Sequence, residues 1–112
     1  MRLKTSTDSA TEVADEAMRL FVRRDVSPET WWRDLEPMMT AAAAQAYDGT
    51  DPASGAPVKI TGKPAPVEGG SAYLARIHIP TNQGTYMVLL SRASNDEPWL
   101  VERFTPPENV GD

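Results

Sequence analysis

Residues 71–92, SAYLARIHIPTNQGTYMVLLSR, decide the fold. Apolar side chains alternate with others from Tyr73 to Ile79, and a second run, TYMVLLSR, follows a turn-forming cluster, PTNQG. Two such runs around so short a connection read as a hairpin, which makes the strands antiparallel. Alternation sets Tyr73, Ala75, Ile77 and Ile79 on one face of the first strand and Leu74, Arg76 and His78 on the other. The second run is apolar on both faces through Tyr86, Met87, Val88, Leu89 and Leu90. That is the pattern of a central strand, covered on both sides by helices, by its own long side chains or by a partner protein. Two-sided burial points to a homodimer formed through the sheet.

The same period extends outward. Residues 93–98, ASNDEP, form a second short connection to WLVERF, where Trp99, Val101 and Arg103 are expected on one side and Leu100, Glu102 and Phe104 on the other. On the other flank, VKITGKPAPVEGG, residues 58–70, reads as the first strand. The sheet therefore has four antiparallel strands, and TPPENVGD trails away from it. A single domain over residues 1–107 is expected, with 108–112 as a flexible tail.

Upstream the period is helical. In SATEVADEAMRLFVRR, residues 9–24, Ser9 and Glu12 have the spacing of a capping box, and Ala10, Val13, Ala14, Ala17, Met18 and Phe21 form one apolar stripe. Asp15 and Arg19 are spaced for a surface ion pair, and Arg23 and Arg24 suit a helix C-terminus. Ser27 followed by Pro28 opens a second, short helix that Pro37 ends near Glu36. Thr40 caps a third, AAAAQAY, which the breakers of DGTDPASGAP terminate. Trp31 and Trp32 sit just inside the second helix, about 100° apart around its axis. One ring is expected in the core and the other at its flank, where it closes a cavity, packs under a loop or meets another subunit.

Composition narrows the function classes. A chain of 112 residues, 40% hydrophobic and 24% charged, has the length of one domain. No run of ~18 apolar residues is present to span a membrane, and MRLK lacks the apolar core of a secretory signal. The chain is expected in the cytoplasm if complete and outside it if cut from an anchored protein, so a membrane enters only through an upstream anchor. The net charge of -5 repels phosphate backbones, and no segregated basic tract marks a nucleic-acid site.

The order of helices before a curled antiparallel sheet resembles the nuclear transport factor 2-like superfamily, also called cystatin-like or SnoaL-like. The blocks WWRDLEPMMT, VKITGKP, IPTNQGTYMVLL and PWLVERFTPPE carry the likeness, which spans most of the chain. They look like small domains of actinobacterial membrane-anchored proteins and, more distantly, extracytoplasmic domains of conjugation and type IV secretion components. Arginine outnumbers lysine eight to three and there are fourteen alanines, which suits a GC-rich genome. The resemblance implies an α+β domain with N-terminal helices packed on a curved, cone-like, four-stranded antiparallel sheet.

Enzymes of that superfamily hold an Asp or His base and a Tyr or acid donor in the cone between helix and sheet. No such pair maps onto this chain residue by residue, so no catalytic residue is assigned. His78 is the only histidine and lies beside Pro80 near a hairpin end, a place where a structural or exposed imidazole is common. Asp34 reads as a solvated carboxylate, and strand tyrosines such as Tyr73 commonly supply cross-strand packing. With no cysteine and one histidine there is no zinc set, DGTDPASG lacks the spacing of a calcium loop, and no phosphate loop or nucleophile elbow occurs. No metal and no cofactor is implied. A ligand pocket, if the cone is open, would be lined by Trp31, Trp32, Tyr47, His78 and Tyr86. The expectation is a non-catalytic assembly or binding domain, dimeric or joined to a protein partner, of a membrane-associated or secretion-type protein. The alternatives are a small isomerase-like or lyase-like enzyme, an apolar-ligand carrier, or a domain that takes a peptide along its sheet edge.

Overall fold

The computed structural model describes residues 6–49, 57–67, 73–94 and 97–107. Among the described residues three helices precede the sheet: α1 (Ser6–Phe21), α2 (Pro28–Leu35) with a 3₁₀ turn over Glu36–Met38, and α3 (Ala41–Tyr47). Strands β1 (Ala65–Pro66), β2 (Leu74–Thr81), β3 (Gly84–Ser91) and β4 (Leu100–Thr105) follow, side by side in chain order and all antiparallel. The result is an α+β fold with a curled, open sheet, helices first. The expected tail at 108–112 and most of the breaker cluster after α3 lie outside the described residues.

Local chemistry explains the helix boundaries. The Ser27 hydroxyl accepts from the Thr30 N–H at 3.2 Å, and Pro28 stands at the first helical position, where its missing donor leaves no bond unmade. Thr40 accepts from the Ala43 N–H at 3.2 Å in the same way. Helix α1, by contrast, already runs from Ser6, so Ser9 is an interior residue and the expected capping box is not its start. Five consecutive residues, TSTDS at 5–9, have capping side chains, and spacing alone does not single one out.

One core joins the layers. Ala10, Ala14, Ala17 and Met18 of α1, Trp31 and Leu35 of α2, and Ala75, Ile77, Ile79, Tyr86, Val88, Leu90, Val101 and Phe104 of the sheet form a single buried cluster. The alanines let α1 approach the strands closely, and Trp31, only 1% exposed, fills the volume beside them. A fully buried aromatic of that size contributes roughly 1.5–3 kcal/mol from its apolar area.

Two parts of the sheet depart from simple alternation. In β4, Leu90 pairs with Val101 but Leu89 pairs with Arg103, leaving Glu102 as the extra residue of a β-bulge. Trp99, Val101 and Phe104 are consequently buried while Arg103 is exposed. This corrects the strict alternation expected there, which set Phe104 with Glu102 and Arg103 with Trp99. The segment 58–67 is not one strand. Ile60 bridges Thr81, the Thr61 N–H donates to the Pro80 carbonyl at 3.0 Å, and regular pairing resumes only at Ala65–Pro66. Pro80 offers no N–H on that side, and a Cβ at Gly62 would stand 3.1 Å from Pro80 Cγ, so the chain bends around the ring. The β2–β3 hairpin closes as expected through Asn82 and Gln83. There Thr81 Oγ1 accepts from the Gln83 N–H at 3.1 Å and donates to the Gly84 carbonyl, with Gly84 at φ 119°.

Candidate functional site

The five residues expected to line a pocket are distributed over α2, α3 and both faces of the sheet. Trp31 is buried where α2 meets the end of α1, its Nε1 donating to the Phe21 carbonyl at 3.0 Å. Trp32 is half-buried at the flank and stacks on Trp31 with centroids 6.2 Å apart. From Trp31 an aromatic chain runs on through Phe21 at 5.9 Å to Phe104, stacked at 4.1 Å, and Tyr47, edge-on at 5.9 Å. Trp31, Trp32 and Tyr47 are thus linked, but by packed rings. Tyr86 is buried on the inner sheet face, where burial raises its phenol above the ordinary value of 10.0. His78 pairs with Met87 in the ladder and lies on the opposite, outer face.

Of the remaining polar candidates, Asp34 and Asp15 are paired within the fold. Asp34 is not simply solvated: its carboxylate takes a bond from Arg23 Nη2 at 3.2 Å, and Arg23 Nε donates to the Leu20 carbonyl at 3.3 Å at the end of α1. Asp15 and Arg19 pair at 3.1 Å as their spacing predicts. Tyr73 is 49% exposed, so it does not join the buried face of β2. Among the described residues, no group of three or more His, Cys, Asp and Glu side chains could hold a metal, and no helix is long and apolar enough to cross a membrane.

What the sheet offers a partner is decided by its edges and its outer face. The free edge of β4 is occupied: the Thr40 N–H donates to the Val101 carbonyl at 3.0 Å, while Tyr47 Oη accepts from the Phe104 N–H at 3.1 Å and donates to its carbonyl at 3.3 Å. At the other edge β1 has two residues. Since the Val67 N–H points inward to the Arg76 carbonyl, Pro66 turns its nitrogen outward, and Lys59 and Lys63 stand exposed along the same border. Short strands, proline and lysine are the usual means of blocking strand addition.

The outer face is different. The ladder aligns three rows across it: Leu74, Ser91 and Leu100; Arg76, Leu89 and Arg103; His78, Met87 and Thr105. Helix α1 packs on the inner face, and α3 only borders the outer one along β4. There Ala42, Ala46 and Tyr47 face Leu89, Glu102 and Arg103 across a shallow cleft of about 270 Å³. The rows of this face, and the contribution of Arg76 and Arg103, were not singled out from sequence. The hairpin register was readable and would have aligned Arg76 with Leu89, but the bulge that brings Arg103 into that row was not. No protein-family model, curated protein or solved structure matches the chain.

Proposed function

We propose that the chain is a non-catalytic assembly domain whose contact surface is the outer face of its sheet. The observation that carries this reading is that Leu74, Met87, Leu89 and Leu100 form a half-buried apolar centre on a broad face that no helix crosses among the described residues, while both sheet edges are blocked. Packing supports it from the other side. Trp31, Met18, Leu35 and Ile77 are fully buried members of the one core cluster that joins helices and sheet. His78 and Tyr86 lie on opposite faces and make no acid–base pair. Kinship with the nuclear transport factor 2-like superfamily, and a place in a membrane-associated or secretion-type protein, belong to the same proposal and rest on the helix-then-sheet order.

Two occupants suit such a face: a second copy of the chain, as the apolar central strand suggested, or another protein. A photo-crosslinking residue at Met87, with a control at exposed Glu16 on α1, tests the reading in cells that make the protein. The expected result is one defined adduct from position 87, of dimer size or larger, that Leu89→Glu abolishes. Equal adducts from both positions, or none from 87, overturn it.

A further inference from the structure

The geometry points to an acidic, amphipathic helical segment of another protein as the occupant of the outer sheet face, laid across the strands over Arg76, Leu89 and Arg103. The inference rests on that face being the contact surface, and it names the partner.

In the register of the sheet, Arg76 of β2 and Arg103 of β4 stand on either side of Leu89. Adjacent strands are about 4.8 Å apart, so the two side chains leave the sheet about 10 Å from one another with an apolar centre between them. Neither arginine has an ion pair or hydrogen bond among the described residues, whereas Arg19 and Arg23 are paired with Asp15 and Asp34. Strands β2 to β4 contain one acidic residue, Glu102, which sits in the bulge and lines the cleft beside Arg103. A chain of net charge -5 thus places two cations, unpaired among the described residues, around a half-buried apolar centre on the sheet face opposite α1.

That arrangement selects among occupants. A second copy laid face to face with its two-fold axis through Leu89 brings a row with two arginines against a row with two arginines, and like charges at an interface oppose association. Carboxylates instead gain bidentate bonds from guanidinium groups. On a helix, residues i and i+7 share a face and lie about 10.5 Å apart, which matches the separation of the arginines. Residue i+3 or i+4 falls between them, over Leu89. The recognised pattern is therefore Glu or Asp, an apolar residue three or four places on, and Glu or Asp at the seventh. The alanines of α3 leave room at the Arg103 end for the helix to continue into the cleft.

The test is fluorescence anisotropy with the full chain and a synthetic helical peptide carrying two repeats of Glu-x-x-Leu-x-x-x-Glu. Saturable binding is expected that weakens as salt rises, because exposed charges are screened over ~10 Å. The double variant Arg76→Glu, Arg103→Glu should lower affinity about tenfold or more, and so, to a lesser degree, should Arg103→Gln at its exposed site, while Arg33→Glu on α2 changes nothing. Replacing the peptide leucines by serine should weaken binding severalfold. The inference is overturned if the peptide does not bind, if a lysine-for-glutamate peptide binds as well, or if a single-stranded oligonucleotide of equal charge displaces it. It is also overturned if light scattering shows a dimer that Leu89→Glu disperses and the peptide cannot reach the face. That last result leaves the contact surface intact and assigns it to a second copy, whereas loss of the Met87 adducts removes the surface itself.

Discussion

Tyr86 and Trp31 illustrate how little a residue type says before its surroundings are known. Both were candidates for a pocket, and both are in the core. The Tyr86 phenol is buried on the inner sheet face, so its ionised form is disfavoured and its pKa is raised from 10.0. A raised native pKa means that the folded chain holds this proton where the unfolded chain releases it. The associated stability is complete below pH 10 and is lost as pH climbs from there through the higher native value. Urea titrations at pH 9 and above 10 should therefore show wild type losing more stability than Tyr86→Phe, which has no proton to lose. The other tyrosines are common to both proteins and cancel in the difference. Equal losses would mean that the phenol is as well solvated folded as unfolded.

At the scale of elements, α3 matters through two attachments to β4. Thr40 and Tyr47 stand one helix length apart and supply the partners that an edge strand otherwise takes from water or from another chain. Tyr47→Phe keeps the ring beside Phe104 but removes both bonds of the hydroxyl, leaving a partly buried N–H and carbonyl without partners. A loss of about 1–3 kcal/mol is expected, read as a lower urea midpoint with an unchanged slope. A loss below that range would mean that water replaces the hydroxyl and that the edge is less enclosed than its geometry suggests. Elements governed by adjacent chemistry were legible in the sequence: Ser27–Pro28 and Thr40 start their helices where expected, and the Asn82–Gln83 turn closes its hairpin. Features governed by distant partners were not. Gly62 bends because Pro80, on another strand, lacks a donor and projects its ring, and Glu102 is squeezed into a bulge by the pairing of Leu89 with Arg103. One trace of the bulge was present. The apolar residues Val101 and Phe104 are three apart, a spacing that a regular strand puts on opposite faces and a bulge puts on one.

For the whole molecule, the decisive feature is that helices and sheet share a single interior. Val88, Ile77 and Leu90 of the sheet are as fully buried as Ala14 and Met18 of α1, and Trp31 belongs to the same cluster. Neither layer keeps a core of its own, so removal of either exposes the other's apolar face. Two consequences are measurable. Far-ultraviolet circular dichroism, dominated by the helices, and tryptophan fluorescence, reporting on Trp31 and Trp99 in the core, should change together in one transition. Enlarging Ala14, which is fully buried where α1 meets the strands, should move both probes at once. Ala14→Leu inserts extra methylenes at a fully buried position and should destabilise by about 1–3 kcal/mol or more, because the strand residues of the same cluster, Val88 and Ile77 among them, are fully buried too. If the outer sheet face is the contact surface proposed above, a substitution there, such as Leu89→Glu, should weaken association while shifting the unfolding midpoint far less than Ala14→Leu. If Ala14→Leu melts the helical signal and leaves the sheet folded, the layers are separate units, and an assembly surface on a sheet that α1 holds in shape is no longer tenable.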